Sequence, residues 1–132
     1  MAFRLPSPLD EETERVVTDV VDCALEVHRQ LGPGLLEAIY ADAFGLELQY
    51  RKLRFEREKP FQIYYRERPL RIQRIDLIVE DKVLIEIKAV ERLHAVHQAQ
   101  VLAYLKATGL RIGLLMNFNN DLLKGHIRRI IL

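Results

Sequence analysis

The sequence has one cysteine, no tryptophan and no long apolar segment. A single cysteine excludes an intramolecular disulfide and any zinc site built on two or more thiolates. No apolar run approaches the roughly 20 residues that a membrane-spanning helix needs, and the first ten residues lack the apolar core of a secretory signal. These absences predict a soluble, cytoplasmic protein whose fold is held together by packing.

The composition is typical of a globular protein, with 132 residues of which 49% are hydrophobic and 30% are charged. This length is usual for one domain, so we expect residues 1–132 to form a single domain. The net charge of +1 is unevenly distributed, because residues 1–50 carry 3 basic and 10 acidic side chains whereas residues 51–74 carry 9 and 3. The basic segment is suited either to contact a polyanion or to pair with the acidic first helix.

Two helices are expected at the front of the chain. Apolar residues recur at helical spacing from Val16 to Leu31, after Ser7 or Asp10 as a possible N-cap. The sequence Gly32-Pro33-Gly34 ends this helix, because glycine suits the left-handed C-terminal position and proline cannot continue the ladder. The same spacing resumes at Leu35 and predicts a second helix that ends near Arg54.

The period then changes from helical to alternating. Alternation from Phe55 to Tyr65 predicts a strand with one wet face, and Pro69 is expected to mark a turn or a strand edge. Branched apolar residues from Ile72 to Val79 and from Val83 to Val90 predict a buried hairpin. The remaining expected elements are a helix over 92–108, a strand over 111–118 and a short last strand near 127–131. The order, helix, three strands, helix and strand behind an extra N-terminal helix, predicts an α/β protein with a mixed sheet and a parallel crossover.

Charged residues interrupt the apolar hairpin and must find partners there. If Glu80, Asp81 and Lys82 form a three-residue hairpin loop, Val79 pairs with Val83, whereas a slip of one residue would send Asp76 to the opposite face. This register puts Asp76 opposite Glu86, on the face that also carries Lys88. Two adjacent carboxylates favour Mg²⁺ or Mn²⁺, and a divalent ion beside a lysine can support phosphodiester hydrolysis. The alternative is a buried salt bridge between the lysine and either carboxylate.

The two helices that flank the strands carry further candidates. Glu37 lies three residues after Gly34, where it can either cap the second helix or point toward the sheet. On the later helix, His97, Gln100 and Tyr104 share one face. The amide and the phenol there can bind a phosphate or a water, or can form a polar seam at the helix surface.

Several motifs follow one another along the chain, namely Gly34-Leu35-Leu36-Glu37-Ala38-Ile39-Tyr40, Asp76-Leu77-Ile78-Val79, Glu86-Ile87-Lys88-Ala89-Val90, His97-Gln98-Ala99-Gln100 and Tyr104-Leu105-Lys106-Ala107-Thr108-Gly109. This ordered set resembles the GxxExxY protein family. That family is similar to the RecB-like branch of the PD-(D/E)XK nuclease superfamily, and Ile75 stands here in place of the proline that gives the motif its name.

The resemblance implies a restriction-endonuclease-like core and a divalent-metal-dependent nuclease, with Mg²⁺ or Mn²⁺ as cofactor and DNA as the expected substrate. Asp76 and Glu86 match the metal-binding acidic pair, and Glu37 matches a helical glutamate that completes the metal site. The other catalytic positions carried over by the resemblance are Lys88, the motif lysine, and Gln100 with Tyr104, the QxxxY element of RecB-like members.

Nucleic-acid contacts are expected from four arginines of the basic segment, Arg66, Arg68, Arg71 and Arg74. The alternative function is a non-cleaving module that keeps the nuclease fold and binds nucleic acid or a protein partner. A chain this small presents one site, so a homodimer would suit the cutting of both strands of a duplex.

Overall fold

The computed structural model describes residues 7–132, which contain three helices and five strands. The elements are α1 (Glu11–Leu31), α2 (Glu37–Tyr50), β1 (Phe55–Tyr65), β2 (Arg68–Val79), β3 (Val83–Lys88), α3 (Ala95–Thr108), β4 (Ile112–Asn117) and β5 (Ile127–Ile131). This order confirms the predicted α/β architecture.

The five strands form one mixed sheet in the order β1-β2-β3-β4-β5. β3 and β4 are parallel and the other neighbours are antiparallel, which confirms the predicted crossover through α3. Residues such as Val20, Phe44 and Ile85 form the larger core on the α1–α2 side, whereas Leu84 and Leu105 belong to a smaller core under α3. None of the helices within residues 7–132 is long and apolar enough to cross a bilayer.

The first two helices begin and end for local reasons. The Asp10 carboxylate accepts a hydrogen bond from the Thr13 N–H at 2.7 Å, so Asp10 is the N-cap of α1. Gly32 ends α1 with φ of 68°. The second helix is shorter than the expected span of residues 35–54, because it starts only after the Gly32–Gly34 turn and Lys52 leaves helical geometry with φ of 60°.

The segment between β3 and α3 also differs from the prediction. β3 ends at Lys88 rather than Val90. The Lys88 carbonyl still accepts a backbone hydrogen bond from Phe118 N–H at 2.8 Å, but Val90 bonds to a side chain instead of to a strand. The Asn117 amide group accepts from Val90 N–H and donates to Val90 carbonyl, at 3.0 and 2.9 Å. α3 therefore begins at Ala95, three residues later than expected.

β1 and β2 form one long hairpin, so of the two alternatives predicted for Pro69 the turn is wrong. The turn lies at Arg66-Glu67, both with positive φ, and Pro69 pairs with Tyr64 inside β2. The residue pairing of β2 with β3 extends no farther than Leu77. Since Pro69 lies beyond that pairing, its missing N–H costs no ladder bond on that side.

We call residues 60–74 the arm, because they project past the last residue pair of β2 and β3. The expectation that Ile72 is buried is wrong. Its side chain is 57% exposed, whereas Ile75 is fully buried. The burial starts only where α3 covers the sheet, and the outer part of the hairpin has no such cover.

Candidate active site

The β2–β3 register places the two predicted carboxylates side by side. Val79 pairs with Val83, as predicted, and the last residue pair is Leu77 with Ile85. The next position along the two strands brings Asp76 opposite Glu86.

Both ladders of β2 are interrupted at Asp76. On one side, β1 pairing skips the position between Arg57–Leu77 and Lys59–Ile75, where Glu58 has a left-handed φ of 53°. On the other side, the Asp76 carboxylate accepts a hydrogen bond from the Ile87 backbone N–H at 2.8 Å. The side chain thus replaces a strand-to-strand bond, and the aspartate is fixed at the point where the strands stop pairing.

Glu86 is the buried member of the pair, with a residue exposure of 3%. Burial, followed by the hydrogen bond and the negative charge of Asp76, raises the pKa of Glu86 to about 9, although the Lys88 charge acts in the opposite direction. Without a cation, the Glu86 carboxyl group therefore keeps its proton at neutral pH and hydrogen-bonds to Asp76. A positive ion placed beside the pair would remove the need for this proton.

Gln100 and Tyr104 come together as the sequence predicted. The Gln100 amide donates a hydrogen bond to the Tyr104 hydroxyl oxygen at 2.7 Å, and this hydroxyl lies within hydrogen-bonding reach of Glu86. Burial, and next the Glu86 charge, raise the pKa of Tyr104 to about 12. The Phe61 ring packs edge-on against the Tyr104 ring at 5.1 Å. The pair therefore lies beside the buried Glu86 carboxyl group and does not form a polar seam at the helix surface.

Lys88 lies half-buried beside the carboxylates without an ion-pair partner in residues 7–132. The predicted alternative of a buried salt bridge with Asp76 or Glu86 is therefore not formed. The ammonium group still acts at longer range, because its charge opposes the rise in the pKa values of Glu37 and Glu86. It remains available to a bound anion.

Glu37 is the first residue of α2, and it does not cap that helix. The N-cap is Leu36, and no side chain makes a capping hydrogen bond there. The Glu37 residue as a whole is exposed, but its carboxyl group is partly desolvated. This desolvation and the charge of Asp76 raise the pKa of Glu37, while the charge of Lys88 lowers it. The structure thus brings a third carboxylate into the electrostatic field of the pair.

Tyr40 explains why Glu37 lies at that place. The Tyr40 hydroxyl donates to the Gly32 carbonyl at 2.6 Å and accepts from the Leu35 N–H at 3.2 Å. Its ring, fully buried, stacks on Phe118 at 4.8 Å. These contacts tie the turn before α2 to the core, so Tyr40 is a positioning residue for the glutamate.

A cleft of about 350 Å³ opens at the start of α3, lined by Val90, Glu91, Arg92, His94 and His97. The His97 Nδ1 accepts a hydrogen bond from the His94 backbone N–H at 3.0 Å. Burial and the nearby Lys88 charge lower the pKa of His97. Because Nδ1 accepts the backbone hydrogen bond, the ring proton of a neutral His97 lies on Nε2. The cleft therefore offers hydrogen-bond donors beside the lysine.

The donor set fits a hard divalent cation. Within the described residues, no three His, Cys, Asp or Glu side chains are grouped as a metal cage. Mg²⁺ does not need one, because it is usually held by one or two carboxylates and keeps waters and substrate phosphate as its other ligands. Asp76 and Glu86 supply such a pair, with Glu37 as an outer acidic group.

The four arginines predicted to contact nucleic acid lie on the arm and outside the carboxylate cluster; they are Arg66, Arg68, Arg71 and Arg74, here called the arm arginines. Glu58 was not predicted as a site residue. It lies at the skipped position of β1 next to Asp76, and its charge contributes to the raised pKa of Glu37. Its position depends on a left-handed backbone at a glutamate, which residue patterns do not reveal.

Comparison with known proteins gives one match. A family model described as the PD-(D/E)XK nuclease superfamily matches residues 14–130. No curated protein and no solved structure matches the chain significantly. The matched segment contains every candidate catalytic residue described above.

Proposed function

The chain belongs to the PD-(D/E)XK nuclease superfamily, and from this membership and the site geometry we propose that it is a Mg²⁺-dependent nuclease that hydrolyses phosphodiester bonds in DNA. The restriction-endonuclease-like fold of the family accords with the mixed sheet and its flanking helices. The observation that carries the proposal is the paired Asp76 and Glu86 beside an unpaired Lys88.

The residues of the site have separate roles in this proposal. Asp76 and Glu86 would hold the metal, with Glu37 completing the acidic set. A bound divalent ion would neutralise phosphate charge and make a water more acidic. Lys88 would orient the attacking water or stabilise the charge that develops on the phosphate.

Two residues of α3, Gln100 and Tyr104, lie next to the acidic pair and support this chemistry. Tyr104 would orient the Glu86 carboxyl group, and the hydrogen bond from Gln100 fixes the Tyr104 hydroxyl. Because each of these groups already has its partner, the buried carboxyl group needs little rearrangement when substrate binds.

We extend the proposal to the family branch and the assembly. The GxxExxY pattern from Gly34 to Tyr40 and the Gln100–Tyr104 pair favour a GxxExxY-type, RecB-like nuclease of the cytoplasm. Each chain offers one acidic pair, so a homodimer would place two sites on the two strands of a duplex.

Cleavage of fluorescent single- and double-stranded DNA tests the proposal directly. We expect cleavage in Mg²⁺ or Mn²⁺ and none in EDTA. Lys88→Ala should lower the rate by about 100-fold or more, because a group that stabilises transition-state charge is lost. The matched control is Lys106→Ala, an exposed lysine at the far end of α3.

The alternative of a non-cleaving module predicts salt-sensitive DNA binding without cleavage in any metal. Equal rates in the wild type and Lys88→Ala would contradict the role assigned to the lysine.

A further inference from the structure

The arm extends the sheet beyond the acidic pair. From Arg74 to Arg68 it covers seven residues, which is about 20 Å at the usual rise of a strand. Its base is anchored, because Phe61 packs on Tyr104. Asp76 follows Arg74 by two residues, so the strand that forms the arm leads directly into the candidate active site.

The charge of the arm is not neutralised by the rest of the protein. Residues 60–74 contain the four arm arginines and one acidic residue, Glu67. Within the described part of the chain, none of these arginines forms an ion pair. The arginines that do form ion pairs lie elsewhere and are Arg29, Arg51, Arg54, Arg57 and Arg129. The arm therefore keeps a net charge of +3 for a polyanion, and the acidic first helix does not pair with it.

The arm also exposes large apolar and aromatic side chains. Tyr64 and Tyr65 are each 63% exposed, and Leu70 and Ile72 are similarly open to solvent. The Arg66 guanidinium lies 5.8 Å from the centre of the Tyr65 ring. A surface that serves only duplex phosphates needs the arginines and can use the tyrosine hydroxyl groups, but it makes no use of the exposed faces of the tyrosine rings.

We propose that the arm is a binding site for single-stranded DNA, in which Tyr64 and Tyr65 stack on unpaired bases while the arm arginines contact the phosphates. Aromatic rings interleaved with cationic groups are the combination that recognises single strands, because every base has a face on which a ring can stack. Stacked bases in a duplex are not accessible to such rings without unpairing.

This inference rests on the proposed function, because it names the substrate class that the nuclease site would receive. A DNA single strand bound along the arm would extend toward Asp76 in the direction of β2. The preferred substrate is then a single strand or an unpaired end, and a fully paired duplex binds more weakly.

Fluorescence anisotropy with a labelled oligothymidylate and a blunt duplex of equal length tests this inference. Measurements in EDTA keep binding separate from cleavage, so a failure of the proposed nuclease activity would leave this test intact. The double variant Tyr64→Ala/Tyr65→Ala should bind the oligothymidylate about 25-fold more weakly or worse, from at least about 5-fold for each lost stacking contact. Its duplex affinity should change by less than about 3-fold, because phosphate contacts remain.

Two further variants separate stacking from other effects. Tyr64→Phe/Tyr65→Phe keeps both rings and should retain the single-strand affinity. Tyr50→Ala removes a tyrosine that is 79% exposed at the end of α2, away from the arm, and should change nothing. Circular dichroism of each variant verifies that the fold is intact.

Three results would overturn the inference. The first is unchanged oligothymidylate affinity in the folded Tyr64→Ala/Tyr65→Ala variant, and the second is an equal loss for the duplex. The third is a dimer in sedimentation experiments that this variant dissociates without a change in DNA affinity, because the arm would then be a contact between two copies of the chain.

Discussion

Substitution Glu86→Gln should stabilise the metal-free protein, with a dependence on pH that follows from burial. Glu86 is 3% exposed and adjoins Asp76, so its pKa in the folded protein lies far above the ordinary value of 4.5. A raised folded pKa means that the stability contributed by the protonated group is fully present below pH 4.5 and is lost as the pH rises through the folded pKa.

The size of the effect follows from the same linkage. Each pH unit above the ordinary value lowers the stability by about 1.4 kcal/mol, so at pH 7 the loss from Glu86 reaches about 3 kcal/mol as an upper figure. Glutamine is neutral at every pH and can donate its amide hydrogen to Asp76 in place of the carboxyl proton. Glu86→Gln should therefore gain about 2 to 3 kcal/mol at pH 7 and almost nothing near pH 4.5.

Urea unfolding in EDTA, followed by circular dichroism because the chain lacks tryptophan, measures this difference between pH 4.5 and 9. The control is Glu67→Gln, which alters an exposed glutamate in the β1–β2 turn. Mg²⁺ should raise the stability of the wild type and leave Glu86→Gln unchanged, since we propose that only the intact pair holds the ion. Parallel curves of stability against pH for the wild type and Glu86→Gln would refute the buried, protonated carboxyl group.

Three other substitutions test the turn before Glu37, the packing of β4 against α3, and the role of the arm arginines in DNA binding. Tyr40→Phe removes the hydroxyl that fixes the turn before Glu37. The free energy of unfolding measured in urea should fall by about 1 kcal/mol, and the rate of DNA cleavage should also fall. Gly113→Ala should destabilise by about 1 to 3 kcal/mol, because its new methyl group would lie 2.5 Å from Val101 of α3, whereas Gly45→Ala in α2 meets only ordinary contacts. Replacing the arm arginines with glutamine should reduce the slope of log affinity against log salt by about 3 for single-stranded DNA; an unchanged slope would remove them from the interface.

The central pair was predictable because its geometry depends on local rules. Strand alternation and a three-residue loop were enough to bring Asp76 opposite Glu86, and the structure confirms the Val79–Val83 pair on which that register depends. The helical spacing that puts Gln100 and Tyr104 on one face is equally local, and their hydrogen bond confirms it.

Other features depend on contacts between distant segments and could not be predicted in the same way. The position of Glu37 requires Tyr40 to fix the turn and Phe118 to receive the tyrosine ring, and no periodicity reports such a contact. The length of the arm could not be predicted either. Ile72 has the residue type of a core position, but it lies beyond the pairing of β2 with β3 and is therefore exposed. The prolonged hairpin also depends on non-glycine residues with positive φ at its turn.

The anomalous scattering of a crystal grown with Mn²⁺ tests the central claim most directly. The account predicts a single strong peak bounded by the carboxylates of Asp76 and Glu86, with the Lys88 ammonium group close to it. A map without a peak at that place, with the oxygens of the two carboxyl groups still within hydrogen-bonding distance of each other, would contradict the assignment of this pair as the metal site of a nuclease.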